Sequence, residues 1–538
     1  MKKLLGKLLI LLVALAAAFG YYYVTLPAFN IHSTGTWMFL IVGWIVIVFL
    51  GSLRKFRFQK KGIEYEDKKG FSFTKLGLGI LVLMIAILGI GTLLSSPIIN
   101  ANDYQKLLTV ENREFTEDIK QVDYNQIPLL DKNSAELLGN RKMGTMVEYV
   151  SQFEVSSLYT QINYQGKPVR VTPLVYASPI KWVTNHNSGI PAYIMIDMTT
   201  QETECVKLTT PIRYSQSEYF GRNIYRHLRF RYPTYIFDSI SFEIDDEGTP
   251  YWICPVKKFN IGLFGGQTIG RVVLCNAITG ETQSMNVEDV PEWVDRVYSA
   301  ELLIELYDYH GTLKHGYFNS ILGQKDCLRT TDGYNYIAME DDVWVYTGVT
   351  SVSGDESNVG FVLMNQRTME TRYYACAGAE EYSAMSSAEG QVQNLGYRAT
   401  FPLLLNISGE PTYFLALKDD AGLVKKYAMV NIQRYQIVAI GDTVADCEKS
   451  YLSLMKTNNI TSVVTSASKK RSGTIARIAE AVIDGNTHYY LLLEGSDVIY
   501  DVNLAEFIGI VRYNVGDRIT LEYMEGTDTS QVIGIAES

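Results

Sequence analysis

The chain has 538 residues, with 48 Lys and Arg against 58 Asp and Glu. This length is too great for one compact core, so we expect several domains. After residue 97 the chain carries 37 basic and 55 acidic residues, a net charge of about −18 that disfavours nucleic acid and anionic lipid as broad partners.

Three apolar runs open the chain. Leu8 to Leu26, Thr36 to Leu53 and Leu76 to Ser96 contain no Asp, Glu, Lys or Arg. Each is close to the ~20 residues that a helix needs to cross the hydrocarbon core of a bilayer. We therefore predict a transmembrane region over residues 1–97 with three helices.

The orientation of these helices follows from the positive charges. Residues 2–7 hold three lysines and the loop 54–75 holds eight Lys and Arg, whereas the loop 27–35 has none. Short loops rich in Lys and Arg stay in the cytoplasm. We therefore expect a multi-pass protein of the cell membrane, with the bulk of the chain on the extracytoplasmic side.

An alternative interpretation makes the first apolar run a cleaved signal peptide, because it ends in the small residues Ala16, Ala17 and Ala18. The aromatic continuation from Phe19 to Tyr23 favours a retained span. The orientation of the later residues is the same in both cases. Small residues such as Gly77 and Gly91 predict close helix packing, and the absence of ionisable residues from the spans disfavours an autonomous ion transporter.

Residues 98–142 are predicted to form a stalk of helix and loop. Short strands rich in aromatic and β-branched residues follow, and we divide them into two α+β regions, 143–290 and 291–455. Two helices are predicted among the strands. The first opens at the capping box Ser215 to Glu218 and runs to about Phe230, and the second runs from Glu380 to Leu395 before Gly396.

One sequence phrase recurs among these strands: a turn, an aromatic strand, a second turn and an apolar strand. The first copy is Gly189 to Asp197 with Thr203 to Val206, the second is Gly248 to Val256 with Gly270 to Gly280, and the third is Gly409 to Leu417 with Ala421 to Asn431.

At these residues the chain resembles the PepSY-like modules of bacterial envelope proteins, whose strands read Pro-x-aromatic and then an apolar strand ending in a Thr-Gly-Glu turn. Here that turn is Thr279-Gly-Glu281, and the first and third copies lack it. The resemblance covers about a third of the chain. It implies a helix packed on a small antiparallel sheet, in a non-catalytic module that binds or restrains other envelope proteins.

The last residues predict a separate unit. A polar linker, 456–472, precedes a small β-barrel, 473–538, of the OB or SH3 kind. The strand candidates are Thr474–Val482, His488–Leu493, Val498–Val502, Ile508–Tyr513, Arg518–Tyr523 and Gln531–Ile535. Four arginines oppose eleven acids from Arg471 onward, so this barrel is not expected to bind nucleic acid.

All six cysteines follow the spans, at positions 205, 254, 275, 327, 376 and 447. Cys254 and Cys275 lie on adjacent predicted strands and make the most plausible disulfide. Free buried thiols are an equally acceptable interpretation.

No pattern in the sequence predicts catalysis, a cofactor or a metal. The two Ser-x-x-Lys matches, Ser178–Lys181 and Ser466–Lys469, lack the partner sequences of penicillin-binding enzymes. His310 and His315 read as loop residues, and the acidic clusters at Asp245, Glu340 and Asp419 lack calcium-loop spacing.

The most distinctive charged segment interleaves arginines with aromatic residues. Arg222, Arg226 and Arg229 are predicted on one helix face beside Tyr225, so their guanidinium groups could grip a carboxylate or phosphate of a partner. The competing interpretation pairs these arginines with acids of the same domain, such as Asp245 to Glu247.

The sequence as a whole predicts a membrane-anchored α+β protein with three N-terminal transmembrane helices, repeated PepSY-like units and a C-terminal barrel. We expect a non-enzymatic binding or regulatory protein of a bacterial cell envelope, whose partner is an envelope protein or an anionic polymer. The alternative is an accessory, substrate-capturing subunit of an envelope enzyme or transporter.

Overall fold

A computed structural model describes residues 2–59, 73–119, 127–351, 357–458, 468–483, 486–504, 507–524 and 529–536. The chain divides into two compact units, Met1–Leu454 and Met455–Ser538. The cytoplasmic loop predicted over 54–75 lies largely outside the described residues, because residues 60–72 are not among them.

The N-terminal part is helical. Its elements are α1 (Lys2–Thr25), α2 (Thr34–Gln59), α3 (Phe73–Leu94), α4 (Pro97–Gln105), β1 (Glu111–Arg113), α5 (Phe115–Asp118) and α6 (Lys132–Thr145). Where side chains are described, one helix is long and apolar enough to cross a membrane, at Lys75–Leu94, and two shorter apolar stretches are Leu12–Thr25 and Thr34–Leu50. The described residues thus contain one candidate span, and the three predicted transmembrane helices are not confirmed.

Small residues bring these helices together at one predicted position. A Cβ added at Gly77 would lie 2.6 Å from Val48 of α2, and Trp44 of α2 donates to the Gly77 carbonyl at 2.9 Å. Gly91 near the end of α3 serves a different contact, since a Cβ there would lie 3.0 Å from Phe264. Gly91 therefore packs against the β region and not against another span.

The rest of the first unit consists of four antiparallel sheets with connecting helices. In chain order the elements are β2 (Phe153–Val155), β3 (Thr160–Tyr164), β4 (Lys167–Tyr176), α7 (Pro179–Asn185), β5 (Ile190–Asp197), β6 (Thr203–Ile212), α8 (Ile224–Arg231), β7 (Ser241–Ile244), β8 (Pro250–Ile261), β9 (Gly265–Asn276), β10 (Thr282–Asn286), α9 (Ala300–Thr312), β11 (Leu328–Thr330), β12 (Asn335–Met339), β13 (Asp342–Ser351), β14 (Ser357–Asn365), β15 (Thr371–Ala379), α10 (Glu381–Gln391), β16 (Arg398–Ala399), β17 (Leu403–Ile407), β18 (Glu410–Lys418), β19 (Val424–Asn431), β20 (Val438–Gly441) and α11 (Val444–Thr457).

Each sheet is built from strands that are consecutive in the chain, and in sheets 1, 3 and 4 the first two strands both pair with the third. Sheet 1 comprises β2 to β6, sheet 2 comprises β7 to β10, sheet 3 comprises β11 to β15, and sheet 4 comprises β16 to β20. Strand β1 adds to the edge of sheet 3 by parallel pairing with β15. The three predicted copies of the recurring phrase lie on the antiparallel pairs β5–β6, β8–β9 and β18–β19.

Both faces of the inner sheets are buried, because alternate residues of a strand point to opposite faces. In β8, Trp252 packs in a core shared with sheet 1, whereas Ile253 packs in a core shared with sheet 3. In β13, Val345 belongs to that second core and Trp344 to a third core shared with sheet 4. Antiparallel sheets stacked face to face in chain order resemble the arrangement of blades in a β-propeller.

Residues before sheet 1 close this series onto sheet 4. The Lys418 ammonium of β18 donates to both carboxylate oxygens of Asp131, at 2.6 and 2.7 Å. Gln201 of sheet 1 donates to the Tyr427 hydroxyl of sheet 4 at 3.4 Å. The predicted stalk, 98–142, also packs into the cores, since Leu108 and Phe115 are buried in the second and third of them.

The same turn joins the last two strands of sheets 1, 2 and 3. Its sequences are Asp197-Met-Thr-Thr-Gln-Glu202, Asn276-Ala-Ile-Thr-Gly-Glu281 and Asn365-Gln-Arg-Thr-Met-Glu370. In each the first side chain accepts from backbone N–H groups two and three residues later, and the fifth residue has a φ of 64°, 73° or 67°. The Thr-x-Glu turn is therefore present in the first sheet as well as the second.

Of the two helices predicted among the strands, one begins later than predicted and the other is present at the predicted place. The Glu218 N–H does donate to Ser215, as the capping box requires, but the chain then turns through a 3₁₀ segment, Phe220–Arg222. The helix begins only at Ile224, with Asn223 as its N-cap. The helix predicted at Glu380 is present as α10 and ends before Gly396.

The second unit contains β21 (Ser468–Ile483), β22 (Asn486–Leu493), β23 (Ile499–Asn503), β24 (Arg518–Met524) and β25 (Ser530–Ala536). These strands pair in the closed order β21-β22-β23-β25-β24. The predicted strand Ile508–Tyr513 is wrong, because Ile508–Arg512 forms a 3₁₀ helix. Strand β21 begins within the predicted linker, whose residues 459–467 lie outside the described residues.

All six cysteines are buried and free. Cys254 lies opposite Val273, and Cys275 lies opposite Trp252, so the two cysteines occupy diagonal positions on β8 and β9. The disulfide predicted between them is absent, and the free-thiol interpretation holds for this structure. Burial raises the pKa of the Cys275 thiol to about 12, which keeps it protonated and unreactive.

Candidate functional site

A polar cavity of about 370 Å³ lies among β3 and β4 of sheet 1, β12 of sheet 3 and the segment between β16 and β17 of sheet 4. We call it the central cavity. Its lining includes Tyr159, Gln161, Arg170, Arg296, Tyr336 and Phe401. Its volume is near the lower end of the range for small-molecule sites in proteins.

Arg170 is the most unusual residue of the central cavity. Its side chain lies on β4 with 4% of its surface exposed, between the buried residues Val169 and Val171. One guanidinium nitrogen donates to Gln161 Oε1 at 3.3 Å across the β3–β4 pair. The Nε–H of Arg170 has no partner among the described residues, and burial lowers the pKa of the guanidinium.

Other polar groups of the cavity are also without partners in the described part of the chain. The amide nitrogen of Gln161 and the hydroxyl of Tyr159 are buried and unbonded. Of the two acids in the lining, Asp131 is paired with Lys418, and Glu301 accepts from the Tyr334 hydroxyl at 2.8 Å. Burial alone would raise the pKa of Asp131, but hydrogen bonds from Lys418 and Ser134 outweigh burial and lower it. The unbonded groups therefore include donors of a guanidinium, an amide and a phenol.

A buried pair of acids adjoins Arg296 of the cavity lining. Glu243 of β7 is fully buried and accepts from the backbone N–H groups of Asp295 and Arg296, at 2.9 and 3.2 Å, and from the Ser241 hydroxyl. Asp295 accepts from the Asn163 N–H at 2.7 Å. Burial raises the pKa of Glu243 to about 7, and burial together with the charge of Glu243 raises the pKa of Asp295.

Two of the arginines predicted to bind a partner, Arg226 and Arg229, contact the end of α1. Arg229 of α8 donates to the Leu26 carbonyl after α1 at 3.0 Å and to the Tyr235 carbonyl at 2.6 Å. The Arg226 guanidinium stacks 4.7 Å from the ring centre of Tyr23 in α1.

Arg222 lies outside α8, so the three arginines do not share one helix. It donates to the His186 carbonyl at 2.9 Å. Tyr225 is 48% exposed, and its hydroxyl accepts from Gln216 at 2.9 Å. The partners of Arg222 and Arg229 are carbonyls, where the competing sequence interpretation expected the acids Asp245 to Glu247. The partner-binding role of this set stays a prediction.

The remaining sequence candidates have structural roles. Ser178 caps α7 by accepting from Lys181 N–H, and Ser466 lies outside the described residues. His310 contacts the carbonyls of Gln105 and Leu108 at 3.2 Å. No group of three His, Cys, Asp or Glu able to hold a metal occurs among the described residues.

Sequence reasoning missed Arg170 and Gln161. The available signal was a single arginine in the stretch Val169 to Val175, whose other residues are apolar except Thr172, because Arg is rarely buried without a partner. The arginines of α8 are conspicuous in the sequence by their number, but Arg226 and Arg229 are half-buried against the end of α1.

Comparisons with known proteins assign no family. No family model and no curated protein match the chain. A mutant apocarotenoid oxygenase from Synechocystis is similar at 10% identity over 56% of this chain and 67% of that chain, with a TM-score of 0.17. A chimera of ACO and RPE65 is similar at 8% identity over 72% of this chain and 66% of that chain, with a TM-score of 0.15. These likenesses carry no argument about fold or function.

Proposed function

We propose that this chain is a non-enzymatic, membrane-anchored binding protein of a bacterial cell envelope, with its sheets on the extracytoplasmic side. Its ligand site is the central cavity, and its ligand is a small molecule carrying a carboxylate or phosphate. The observation that carries this proposal is Arg170, a buried cation without a carboxylate hydrogen-bonded to it in the described residues.

The energetics of burial support an anionic ligand. Removing a guanidinium from water without an opposite charge costs several kcal/mol. A carboxylate or phosphate oxygen would offset this cost by accepting from the Arg170 Nε–H, since charge-assisted hydrogen bonds are the strong ones. The unbonded amide of Gln161 is a second donor to the same ligand. Arg296 in the lining adds a second positive charge.

Membrane anchorage by three spans is part of the same proposal. The apolar helix Lys75–Leu94 supports one span, and the lysines at positions 2, 3 and 7, at the start of α1, support a cytoplasmic N-terminus. Contacts of the segment after α1 with the chain between α8 and β7, and of the segment after α3 with the β8–β9 hairpin, support a β region held against one side of the membrane. Phe29 N–H, for example, donates to the Pro233 carbonyl at 2.7 Å.

Two finer assignments belong to the proposal. The resemblance to PepSY-like modules is supported at α10, whose Ala384 and Ala388 pack in the core that includes sheet 4. For the second unit, the closed strand order 1-2-3-5-4, with parallel pairing of the third and fifth strands, supports the OB kind of barrel over the SH3 kind.

Ligand binding is tested on the full-length chain in nanodiscs with a panel of small carboxylates, amino acids and phosphate monoesters. We expect at least one anion to raise the thermal unfolding midpoint, and the Arg170→Met variant to bind that anion at least tenfold more weakly. The matched control is Arg398→Met, because Arg398 is 80% exposed and pairs only with Glu389 on the surface. It should bind as the unaltered chain does.

The stability of the variant without ligand distinguishes binding from a structural role. Replacing a buried cation that has no carboxylate hydrogen-bonded to it in the described residues by an apolar side chain of similar length should leave the midpoint unchanged or raise it. A panel without any stabilising anion, or an Arg170→Met chain that binds the anion as tightly as before, contradicts the proposed site.

A further inference from the structure

An exposed apolar loop follows α9. It spans residues 316–326, and we call it the Phe318 loop. Phe318 is 70% exposed, Ile321 is 53% exposed and Leu322 is 81% exposed. Three large apolar side chains this exposed within five residues are unusual on a surface that only water contacts.

The Phe318 loop lies beside the end of the apolar helix α3. Its Tyr317 packs on a cluster formed by Tyr104, Ile261 and Leu313. The Tyr104 hydroxyl donates to the carbonyl of Ser95, directly after α3, at 2.6 Å. The Ser95 hydroxyl accepts from the N–H groups at the tip of the β8–β9 hairpin, at 2.8 and 3.1 Å.

The loop is held in a defined shape by one amide side chain. Asn319 donates to the Lys325 carbonyl at 2.9 Å and accepts from the Lys325 N–H at 3.2 Å. The bonds join the two ends of a short π-helical turn, Asn319–Gly323. The exposure of Phe318 and Leu322 is therefore built into the loop and does not come from an unfolded segment.

The surroundings of the loop match a membrane interface. Ile98 and Ile99, in the first turn of α4 after the span, are 45% and 53% exposed. Lys314 and Lys325 flank the apolar side chains and are both exposed. Apolar side chains with neighbouring lysines are the composition of segments that lie in the headgroup region of a bilayer.

We propose that the Phe318 loop inserts into the outer leaflet of the membrane beside α3, as a contact with lipid in addition to the spans. The inference goes beyond ligand binding and rests on the proposed span at Lys75–Leu94. The bilayer is the partner because the loop packs on the cluster of Tyr104 and Ile261, and Tyr104 is hydrogen-bonded to Ser95, the residue directly after α3. The loop therefore lies on the side of the membrane where α3 leaves the bilayer.

The test places a nitroxide label on the full-length chain in nanodiscs and compares collisions with oxygen, which concentrates in lipid, and with a water-soluble nickel chelate. Leu322→Cys carries the label in the loop. Leu83→Cys is the bilayer reference, because Leu83 lies within α3 and is 58% exposed. Glu247→Cys is the water reference, because Glu247 is exposed in the turn before β8, at the far end of that 12-residue strand from the hairpin tip.

We expect the Leu322 label to resemble the Leu83 label, with an oxygen-to-nickel collision ratio several-fold above that of the Glu247 label. A Leu322 label with the ratio of the Glu247 label, while the Leu83 label reports lipid, overturns the loop insertion and leaves the ligand proposal intact. A Leu83 label that reports water overturns the span and the insertion together.

Discussion

Burial changes the protonation of Glu243, an acidic residue of β7. Its carboxyl group is fully buried, and three donors surround it, so the ionised form loses hydration while retaining hydrogen bonds. Loss of hydration is the larger effect and raises the pKa from the ordinary 4.5 to about 7. The folded chain therefore holds a proton at Glu243 that the unfolded chain releases in weak acid.

This raised pKa predicts a pH dependence of stability. The contribution of protonated Glu243 is complete below about pH 4.5 and is lost as the pH rises through about 7, an effect on the order of 3 kcal/mol at most. We expect the unfolding midpoint of the full chain to fall between pH 5 and pH 8, and Glu243→Gln to flatten this dependence. Glu247→Gln, which alters an exposed acid, should retain the original slope. An unchanged slope in Glu243→Gln would assign the dependence to other groups, of which Asp295 is the nearest.

The residue scale is also where sequence reasoning was weakest. Patterns of charge revealed the arginines of α8, but they gave no indication that the partner of Arg229 would be the Leu26 carbonyl, 203 positions earlier. Arg170 carried a readable signal, a lone cation in an apolar strand. Its meaning depended on the absence of an acid across the sheet, and pairing between distant strands is not encoded locally.

At the scale of elements, helix α6 packs against sheet 1 through a position that only glycine fits. A Cβ at Gly139 would lie 2.1 Å from the Tyr159 hydroxyl and 3.7 Å from Val155. Gly144 lies in the same helix and has nothing within 4 Å of its Cβ position. Alanine at Gly139 therefore tests packing against sheet 1, whereas alanine at Gly144 tests helix propensity alone.

We expect Gly139→Ala to destabilise the chain by about 1–3 kcal/mol, because the added methyl group forces Tyr159 to move. Gly144→Ala should be neutral or stabilise by up to about 1 kcal/mol, because alanine favours the helix. Thermal unfolding of both variants is the measurement. Adding Tyr159→Phe to Gly139→Ala should recover part of the loss, and equal midpoints for the two single variants would contradict this packing.

Strands and hairpins were largely predictable, because alternation of apolar residues and turn chemistry are local properties. The recurring phrase identified three strand pairs correctly. The recurring phrase did not reveal that two further turns are equivalent to Thr279-Gly-Glu281, namely Thr200-Gln-Glu202 and Thr368-Met-Glu370. The turn depends on an Asp or Asn three residues before the Thr and on a positive φ at the residue before Glu, and neither was part of the phrase. The helix at Ser215 was predicted too early because a capping hydrogen bond also forms in an irregular turn.

At the scale of the molecule, the four sheets share buried faces, and one ion pair joins the segment before sheet 1 to sheet 4. The Asp131–Lys418 contact is bidentate. Asp131 also caps α6 by accepting from Ser134 N–H at 2.9 Å. The stacking of sheets was not predictable from the sequence, because each meander looks complete by itself and only the shared cores reveal their order.

We expect Asp131→Asn to destabilise the first unit by about 1–3 kcal/mol, because the half-buried Lys418 loses its opposite charge while the cap survives in part. Lys132→Gln removes a neighbouring exposed pair with Glu136, at 3.9 Å, and should change stability by less than about 0.5 kcal/mol. Thermal unfolding in nanodiscs compares the two. Equal small effects would indicate that the ion pair is not needed for closure.

The ion pair between Asp131 and Lys418 joins residues 287 positions apart. During synthesis, Asp131 leaves the ribosome well before Lys418, so the first sheet must wait with its outer face uncovered until the fourth is made. Contacts of such long sequence separation slow folding, because the loop entropy is lost before the contact forms. The lag between the two ends of the ring is therefore the period in which this protein is most exposed to aggregation and proteolysis, and a membrane anchor that limits diffusion would reduce encounters between unfinished copies.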